Sequence, residues 1–466
     1  MADAVQATMT NTLLSGWSVL KPNKMKDLFR AYENQGADYL LMIKALGWQR
    51  EVDQETYSHW EEDRIHANFQ SKGNVTGQVA GATVAITLHA DSVDANNRYY
   101  PRVGDNLLFG NGSGRVVGTV ISINETDPTA PILSVRPNQV GDTIPDIATG
   151  DYLFIYSNAH GEGTDQVDPR ISGVTEYSNY LKIIKEDVKT TGTAMTDRLW
   201  FDIPWAKMDG RAPAGSYYRK ALVDLDYRMG VFIGGALQFD EPVTNTLIVD
   251  AVYGTTRQAT FGLFPAANLY GYTDDYTPGT LTIGDFDVWG RALTRESVTN
   301  GEVMGLFGDD LYVEVENLLV DYLGNTNVDY TRKKVISRLF QGSASMEVTV
   351  GFSYFTKGSR TYMFKVNYDY SNVTTYGSTG YNYSHLGIFI PMGKSRDAKT
   401  SEMVGSIGYR YKKLGNYNRE FKMWDTGSAN MDRPTNTIDY LRTSCMAHIG
   451  AHQIAANRFI TLEPQA

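Results

Sequence analysis

Cysteine is almost absent from this sequence, in which Cys445 is the one thiol among 466 residues. An internal disulfide is therefore excluded, and the composition favours synthesis in a reducing compartment such as the cytoplasm. Long apolar runs are also missing, since MGVFIGGALQF at 229–239 has about half of the roughly 20 residues that a membrane-spanning helix needs. The first residues lack a basic leader followed by an apolar core, so we expect neither a secretory signal nor a membrane partner.

An excess of positive charge is missing as well, because 43 basic residues stand against 53 acidic ones and leave a net charge of −10. DNA attracts clustered Lys and Arg, so this balance opposes non-specific binding to nucleic acid. The run Arg332–Lys333–Lys334 is interpreted as a solvated basic run beside a short helix. Aromatic side chains, by contrast, make up 12% of the chain. They are typical of rings buried at sheet faces or subunit contacts.

Catalytic motifs are scarce. His448 and His452, four residues apart in HIGAH, would share a helix face, but Ile449 stands where a zinc protease needs its Glu. There is no G-x-S-x-G nucleophile elbow and no phosphate loop; in GIFIPMGKS, Gly387 stands one residue too far from the Gly-Lys-Ser. His59 and His66 are interpreted as solvated side chains, and Cys445 lacks the local signature of a nucleophile.

Pairs of carboxylates leave one enzymatic alternative open. Glycoside hydrolysis requires two carboxyl groups about 5 to 9.5 Å apart, and Asp274–Asp275, Asp285–Asp287 and Asp309–Asp310 are candidates. Caps of turns explain them more simply in a chain with 53 acidic residues. We therefore expect no enzyme, no catalytic or cofactor-binding residue, no metal ligand and no cofactor.

Two similar phrases, VGDNLLFGNGSG at 103–114 and TGDYLFIYSNAHGEG at 149–163, lie in a region of short β-branched runs from Val75 to about Val167. Such spacing predicts a small antiparallel domain, in which each Gly-Asp turn leads into a strand, at 106–109 and 152–156. A phosphate loop at FGNGSG would need a helix directly afterwards, whereas VVGTVISI at 116–123 predicts a strand. The repeat is therefore interpreted as architectural.

Elsewhere the periodicity predicts several longer elements. Charged and aromatic residues at 51–70 indicate an arm lying on another surface, and 243–300, poor in helical periodicity, indicates a separate mixed lobe with the helix after it. The predicted elements are helices over Lys24–Leu46, Thr175–Val188, Ser216–Leu237 and Asp310–Tyr322, and two adjacent strands with one apolar face each, at Met346–Tyr354 and Tyr362–Tyr368.

The order of these parts, together with three phrases, resembles a known family. The phrases are SNAHGEG at 157–163, LGIFIPMG at 386–393 and MAHIGAHQIAANRFITLEP at 446–464. They resemble those of the major capsid proteins of tailed phages, which have the Hong Kong 97 fold, and in particular those of the crAss-like and other phages of Bacteroidetes hosts.

This resemblance implies an α+β fold with five parts along the chain. A β-rich insertion of about 90 residues would be larger than a two-stranded extended loop, and it could be a folded module riding on that loop. The parts are an N-terminal arm at 1–70, the insertion or extended-loop region at 71–167, a peripheral domain with its spine helix at 168–242, an axial domain at 243–324, and the completion of the peripheral domain with the C-terminal strands at 325–466.

The resemblance further implies a protein of the virion, synthesised and assembled in the host cytoplasm. Its hexamers and pentamers would form the icosahedral shell that encloses phage DNA without sequence-specific binding, with portal and decoration proteins as further partners. A tail or baseplate protein is one alternative, because its sequence would be aromatic and β-rich in the same way. A carbohydrate hydrolase using an Asp/Glu pair is another.

Overall fold

The structure is a computed structural model, and the following residues are described. They are 38–62, 68–93, 98–110, 114–167, 170, 173–196, 217–245, 247–250, 252–298, 301–323, 353–357, 359–371, 381–396, 403–429 and 434–465.

Seven α-helices lie in these ranges, and the predicted α+β character is confirmed. The helices are α1 (Asp38–Leu46), α2 (Gly192–Thr196), α3 (Tyr217–Phe239), α4 (Leu263–Tyr270), α5 (Ile283–Arg295), α6 (Asp309–Leu323) and α7 (Tyr368–Ser371).

The same ranges contain 22 strands. They are β1 (Gln49–Val52), β2 (Thr56–Glu62), β3 (Phe69–Gln70), β4 (Val84–Thr87), β5 (Asp105–Gly110), β6 (Arg115–Asn124), β7 (Ile132–Pro137), β8 (Tyr152–Asn158), β9 (Val174–Tyr180), β10 (Lys182–Thr191), β11 (Tyr272–Tyr276), β12 (Glu302–Phe307), β13 (Ser353–Lys357), β14 (Arg360–Val366), β15 (Gly387–Pro391), β16 (Lys394–Arg396), β17 (Met403–Gly405), β18 (Ile407–Leu414), β19 (Tyr417–Asn418), β20 (Lys422–Gly427), β21 (Tyr440–Gln453) and β22 (Ile460–Pro464).

The chain divides into two compact units. One is the segment Trp60–Tyr177, called the β module here, and the other, called the two-sheet unit, takes the described residues on either side of it. The β module contains one six-stranded sheet in the order β3-β8-β5-β6-β7-β4. Its interior is made of aliphatic side chains and two phenylalanines, Phe69 and Phe109. The predicted antiparallel β-domain is confirmed.

The two Gly-Asp phrases have the same turn geometry. Gly104 and Gly150 have positive φ angles of 91° and 86°, which glycine adopts without strain. The carboxylate of Asp105 accepts from the backbone N–H of Arg102 at 2.6 Å, and Asp151 accepts from that of Ala148 at 2.8 Å. The strands that follow, β5 and β8, are antiparallel neighbours. The repeat is therefore architectural, as predicted.

The predicted helix at Thr175–Val188 is wrong, because β9 and β10 occupy these residues. Residues of β10 alternate between exposed and more buried positions, and the strand pairs antiparallel with β21 from Lys182↔Ile449 to Thr191↔Tyr440. Tyr177, Leu181 and Ile184 do recur at helical spacing. A long ladder to a distant strand nevertheless decides the local structure, because it satisfies the backbone groups of a whole segment at once.

The first sheet of the two-sheet unit follows the order β1-β18-β21-β10, with β19 and β20 beside β18 and β21. Helix α3, predicted from its apolar stripe, packs against β10 and β21. Leu222, Leu225 and Met229 are buried as predicted, whereas Phe232 is exposed and Ile233 takes its place. A strict alternation of four and three residues drifts around a helix that has 3.6 residues per turn, so the stripe shifts by one position at Phe232.

The second sheet follows the order β11-β22-β15-β12-β14-β13 and is covered on both faces. On β14, Met363 lies in the core shared with α3, while Tyr362 and Phe364 lie in the core made with α5 and α6. The predicted pairing of two neighbouring strands is found at β13 and β14. The expectation of one apolar face is wrong for β14, and Tyr368 begins the short helix α7 instead. Residues 346–352 lie outside the described residues.

Helices α4 and α5 lie in the segment 243–300, which the sequence predicted as a mixed lobe without showing clear helical periodicity there. Phe286, Trp289 and Leu293 are the buried face of α5, and Thr282 with Asp285 forms its capping box. Helix α6 matches the predicted Asp310–Tyr322 to within a residue at each end. The second sheet contains strands from both sides of the predicted boundary between 324 and 325. It therefore does not coincide with the predicted segment 243–324.

The N-terminal region is partly internal. Residues 24–37 of the predicted helix lie outside the described residues, and α1 forms its last part. Tyr39, Met42 and Ile43 are buried in the core of the two-sheet unit. The carboxylate of Asp369 accepts from the backbone N–H groups of Asp38 and Tyr39 at 3.0 and 3.2 Å, as a cap of α1. The stretch 38–48 is therefore part of a core and does not form an arm.

Candidate functional site

The histidines of HIGAH lie on strand β21, so the expectation that they share a helix face is wrong. His452 is buried, and its Nε2 lies 3.0 Å from the guanidinium of Arg410. Burial, with the Arg410 charge as the second cause, holds the pKa of His452 well below its usual range. Because Arg can only donate, the Nε2 atom accepts, and His452 is a neutral structural residue.

His448 is buried on the same strand. Burial, followed by the charge of Arg419, lowers its pKa to about 4. His59 packs edge-on against the ring of His452, with centroids 5.4 Å apart, and it is half-buried. The interpretation of His59 as a solvated side chain is therefore wrong, and His66 lies outside the described residues. His448 and His452 are therefore buried side chains of the first sheet.

Cys445 is a buried thiol on β21, and its Sγ donates to the carbonyl of Glu186 at 3.3 Å. Burial raises the pKa of this thiol to about 11. Since the thiolate is the nucleophilic form, Cys445 behaves as a small apolar residue of the core.

The carboxylate pairs are engaged in structural contacts. Asp274 accepts from the indole Nε1 of Trp289 at 2.5 Å, and Asp285 accepts from the backbone N–H of Thr282 at 2.6 Å. Asp287 pairs with Lys357 at 2.8 Å. Asp310 accepts from the hydroxyl of Ser384. The contact of Asp285 is a cap, as the sequence suggested. The contacts of Asp274, Asp287 and Asp310 are instead with side chains of other elements.

The other sequence motifs give no phosphate or metal site in the described parts. Strand β6 begins at Arg115 directly after FGNGSG, as predicted, and Lys394 of the Gly-Lys-Ser begins β16. Within the ranges given above, no three His, Cys, Asp or Glu side chains form a metal-binding group. No described helix is long and apolar enough to cross a membrane. Arg332–Lys334 lies outside these ranges.

The most unusual surface is a hairpin between Asn245 and Arg257, closed by the bridge Val249↔Thr256. Asp250 organises its turn by accepting from the backbone N–H groups of Val252 and Tyr253 at 2.9 and 3.0 Å. The apolar side chains of this tip point into solvent. Leu247 is 84% exposed, Val252 80% and Tyr253 82%.

A groove of about 780 Å³ lies at the foot of this hairpin. Phe239 and Phe264 stack in its wall with centroids 5.1 Å apart, and Tyr383 packs edge-on against Phe239. Leu269, on α4, also lines the groove and is 65% exposed. Glu241 and Glu463 add carboxylates to this partly aromatic lining.

A second apolar surface lies on the β module. Tyr152, Phe154 and Tyr156 alternate along β8 with the buried Leu153 and Ile155, and all three aromatic rings are exposed. Large clusters of exposed apolar side chains are rare on soluble monomers. They usually mark contact surfaces.

Solved structures similar to this chain include the capsid of a native GTA particle, with a TM-score of 0.43 and 9% identity over 99% of this chain and all of that one. Others are a structure from Mycobacterium phage Ogopogo (0.42, 8% identity, 98% of this chain and 100% of that chain) and the capsid of Cyanophage P-SCSP1u (0.41, 8% identity, 99% and 97%). No family model and no curated protein matches the sequence.

Sequence reasoning missed the hairpin tip and the groove. The run LIVDAVYG carried a signal, because four large apolar residues surround an Asp at a position where no periodicity predicts a core strand or helix. The groove had no such signal, since its lining comes from α3, α4, the loop at 381–386 and β22, which only the fold brings together.

Proposed function

We propose that this chain is the major capsid protein of a tailed phage, which self-assembles into hexamers and pentamers of an icosahedral shell around the genome. The resemblance of three phrases supports this role, and two of them form central strands: LGIFIPMG contributes β15, and MAHIGAHQIAANRFITLEP contributes β21 and β22. The resemblance therefore concerns the strands that build both sheets of the two-sheet unit.

The observation that carries the proposal is the contrast between committed polar groups and exposed apolar ones. His452, Cys445 and one or both carboxylates of each candidate pair contact structural partners. Leu247, Val252, Tyr253 and the rings of β8, by contrast, face solvent. A shell needs large repeated contact surfaces on every subunit and no reaction centre. This distribution suits such a subunit.

The parts then acquire roles. The β module would be the extended-loop insertion that reaches over a neighbouring subunit, and α3 would be the spine of the peripheral domain with the first sheet. The second sheet, with α5 and α6, would be the axial lobe, including β14, β15 and β22 from beyond residue 325. The arm would end before α1, because Tyr39 and Ile43 belong to a core.

The acidic chain would enclose DNA without gripping it, since a net charge of −10 opposes tight binding to phosphates. Portal and decoration proteins would be its other partners in the virion.

Assembly of the purified chain tests the proposal. We expect size-exclusion chromatography and negative-stain electron microscopy, at rising protein and salt concentration, to show pentamers, hexamers or closed shells. Deletion of residues 1–36, which leaves α1 intact, should give folded subunits that no longer close into shells. Tubes or trimers of the full chain would instead favour a tail or baseplate protein, and glycan hydrolysis by a stable monomer would favour a hydrolase.

A further inference from the structure

We propose that the groove at the end of α3 holds a basic segment of the same chain, Lys21–Arg30, which precedes α1. The inference goes beyond the proposed function, because it concerns a contact within one subunit and requires no assembly. Residues 1–37 lie outside the described residues, so this segment is defined by its sequence.

The described lining of the groove carries negative charge. Glu241 and Glu463 belong to it, and none of its other described residues is basic. Glu463 accepts from the Nδ2 atom of Asn268 at 2.5 Å, which holds one carboxylate oxygen at the groove. Asp275 is its partner on the neighbouring strand β11 and adds a further carboxylate at this end. Burial, followed by the charge of Glu463, raises the pKa of Tyr381 in the groove wall.

Aromatic walls with carboxylates beside them suit Lys and Arg side chains. The apolar stem of such a side chain packs on the rings, while its charged end lies at a ring face or meets a carboxylate. An acidic or neutral occupant would leave the groove carboxylates without a counter-charge. The groove therefore favours a segment that is both basic and apolar.

The segment Lys21–Arg30 has this composition. Its sequence, KPNKMKDLFR, holds four basic residues against Asp27, and Met25, Leu28 and Phe29 supply apolar side chains. Opposite charges on two surfaces attract each other and also favour one register of contact. The segment can thus place cations beside the carboxylates and apolar groups against the rings.

The point at which the N-terminal residues join the described chain lies beside the groove. The backbone N–H of Asp38, where α1 begins, donates to the Asp369 carboxylate at 3.0 Å. The next residue, Tyr370, packs edge-on against Phe239 and Phe264 of the groove wall, with centroids 6.0 and 5.8 Å apart. The seven residues between the segment and α1 can span up to about 25 Å, so the segment reaches the groove of its own subunit.

Two other segments outside the described residues suit the groove less well. Residues 372–380, NVTTYGSTG, directly precede Tyr381 of the groove wall but carry no charge. Residues 324–352 contain the basic run Arg332–Lys334, but they rejoin the described chain at β13. That strand lies four strand spacings from β22, or about 19 Å, whereas β22 lines the groove. Charge and position together therefore favour Lys21–Arg30.

Cross-linking within the full chain tests this contact. Asn23→Cys and Leu269→Cys place one thiol on the segment and one at the groove, and a short bis-maleimide joins thiols that come close. The control pair is Asn23→Cys with Leu414→Cys, on β18, whose side chain is 73% exposed against 65% for Leu269. Cys445 is retained, because burial raises the pKa of its thiol to about 11 and leaves little reactive thiolate.

The expected product is a link inside one chain. At low protein concentration, mass spectrometry of linked peptides should show the internal link between positions 23 and 269. It should form at least about tenfold faster than the link of the control pair, because docking raises the effective concentration of one thiol at the other.

Reversal of charge tests the reason for the contact. Lys24→Glu together with Lys26→Glu should slow the internal link at least about fivefold, because two glutamates would then face the groove carboxylates. Adding Glu241→Lys to that variant should restore much of the rate. Glu316→Lys, exposed on α6 and outside the groove lining, should not restore it. Rising salt should slow the link of the original pair.

Three results would overturn the proposal. Equal rates with the control pair would mean random collision, and links between chains that outnumber internal ones would mean that the segment binds another copy. A rate unchanged by the lysine reversals would mean that charge does not hold the segment in the groove. Circular dichroism should show every variant folded, because the substituted side chains among the described residues are exposed.

Discussion

The β module and the two-sheet unit differ in how far apart along the chain their paired strands lie. In the β module, β5 pairs with β6 and β6 with β7, and every pair of strands in the sheet lies within the segment 60–177. In the two-sheet unit, β10 pairs with β21 and β1 with β18, which are separated by hundreds of residues. The comparison shows which parts of a fold can be predicted from a single sequence. Strands that pair with nearby strands leave turn residues and apolar alternation in the sequence, whereas pairing between distant strands leaves no such local pattern.

The largest expected effect is on the core of the two-sheet unit. Trp289 is fully buried, contacts Phe286 and Phe389, and donates to Asp274. Trp289→Ala should lower the free energy of unfolding by about 3–5 kcal/mol, through the lost contacts and the cavity. Denaturant unfolding measures it. Trp60→Ala is the matched control, because that side chain is mostly exposed, and an equal loss there would contradict the assigned core.

A smaller loss should follow from crowding a contact between distant segments. A Cβ at Gly405 would overlap the ring of Trp48, so Gly405→Ala should cost about 1–3 kcal/mol. Gly110, in strand β5, has open space around its Cβ position, and Gly110→Ala should change stability little. Thermal unfolding of both variants distinguishes them; equal midpoints would mean that Trp48 does not pack on β17.

The two Gly-Asp turns of the β module offer a finer comparison. Both glycines have positive φ, so Ala at Gly150 should cost about 1 kcal/mol from backbone strain alone. At Gly104 the added Cβ would also lie 2.5 Å from the ring of His160, and the cost should be larger. Denaturant unfolding of the two single variants shows which one loses more stability. A larger loss at Gly150 than at Gly104 would contradict this turn geometry.

The smallest expected effect is on the loss of stability at acidic pH. The folded-state pKa values of His448 and His452 lie below the ordinary value near 6.5, so the unfolded chain binds these protons first. Their contribution to stability is complete above that value and is lost as the pH falls through the two folded-state pKa values, of which that of His448 is about 4. His452→Gln keeps an acceptor for Arg410 and should flatten this decline in melting temperature. His89→Gln, a partly exposed control in the β module, should leave the decline unchanged.

The sequence allowed α3, α6 and the β module to be predicted, because their periodicity agrees with their burial. The helix predicted at Thr175–Val188 was wrong because the pairing of β10 with β21 overrode a short apolar spacing. Helix α5 was missed although Phe286, Trp289 and Leu293 stand at helical spacing, since the surrounding Gly, Thr and Asp residues concealed it. The surroundings of His448 and His452 and the groove are built from segments far apart in sequence, so no local pattern predicts them.

The position of the arm illustrates the same limit. Charge and aromatic content at 51–70 suggested a segment lying on another surface, but α1 just before it is anchored by Asp369 and by the ion pair of Lys365 with Asp38. These partners are more than 300 residues away in the chain. The start of the core at Asp38 therefore follows from the fold and could not follow from composition.

Native mass spectrometry of the smallest stable assembly tests the central claim most directly. The subunit has a mass of 51.9 kDa, so rings of five or six copies are resolved from every other stoichiometry. We predict five- and six-copy species in samples that also contain closed shells. A chain that stays monomeric, or stops at trimers, under all conditions of concentration and salt would contradict the assignment as a shell-forming capsid protein.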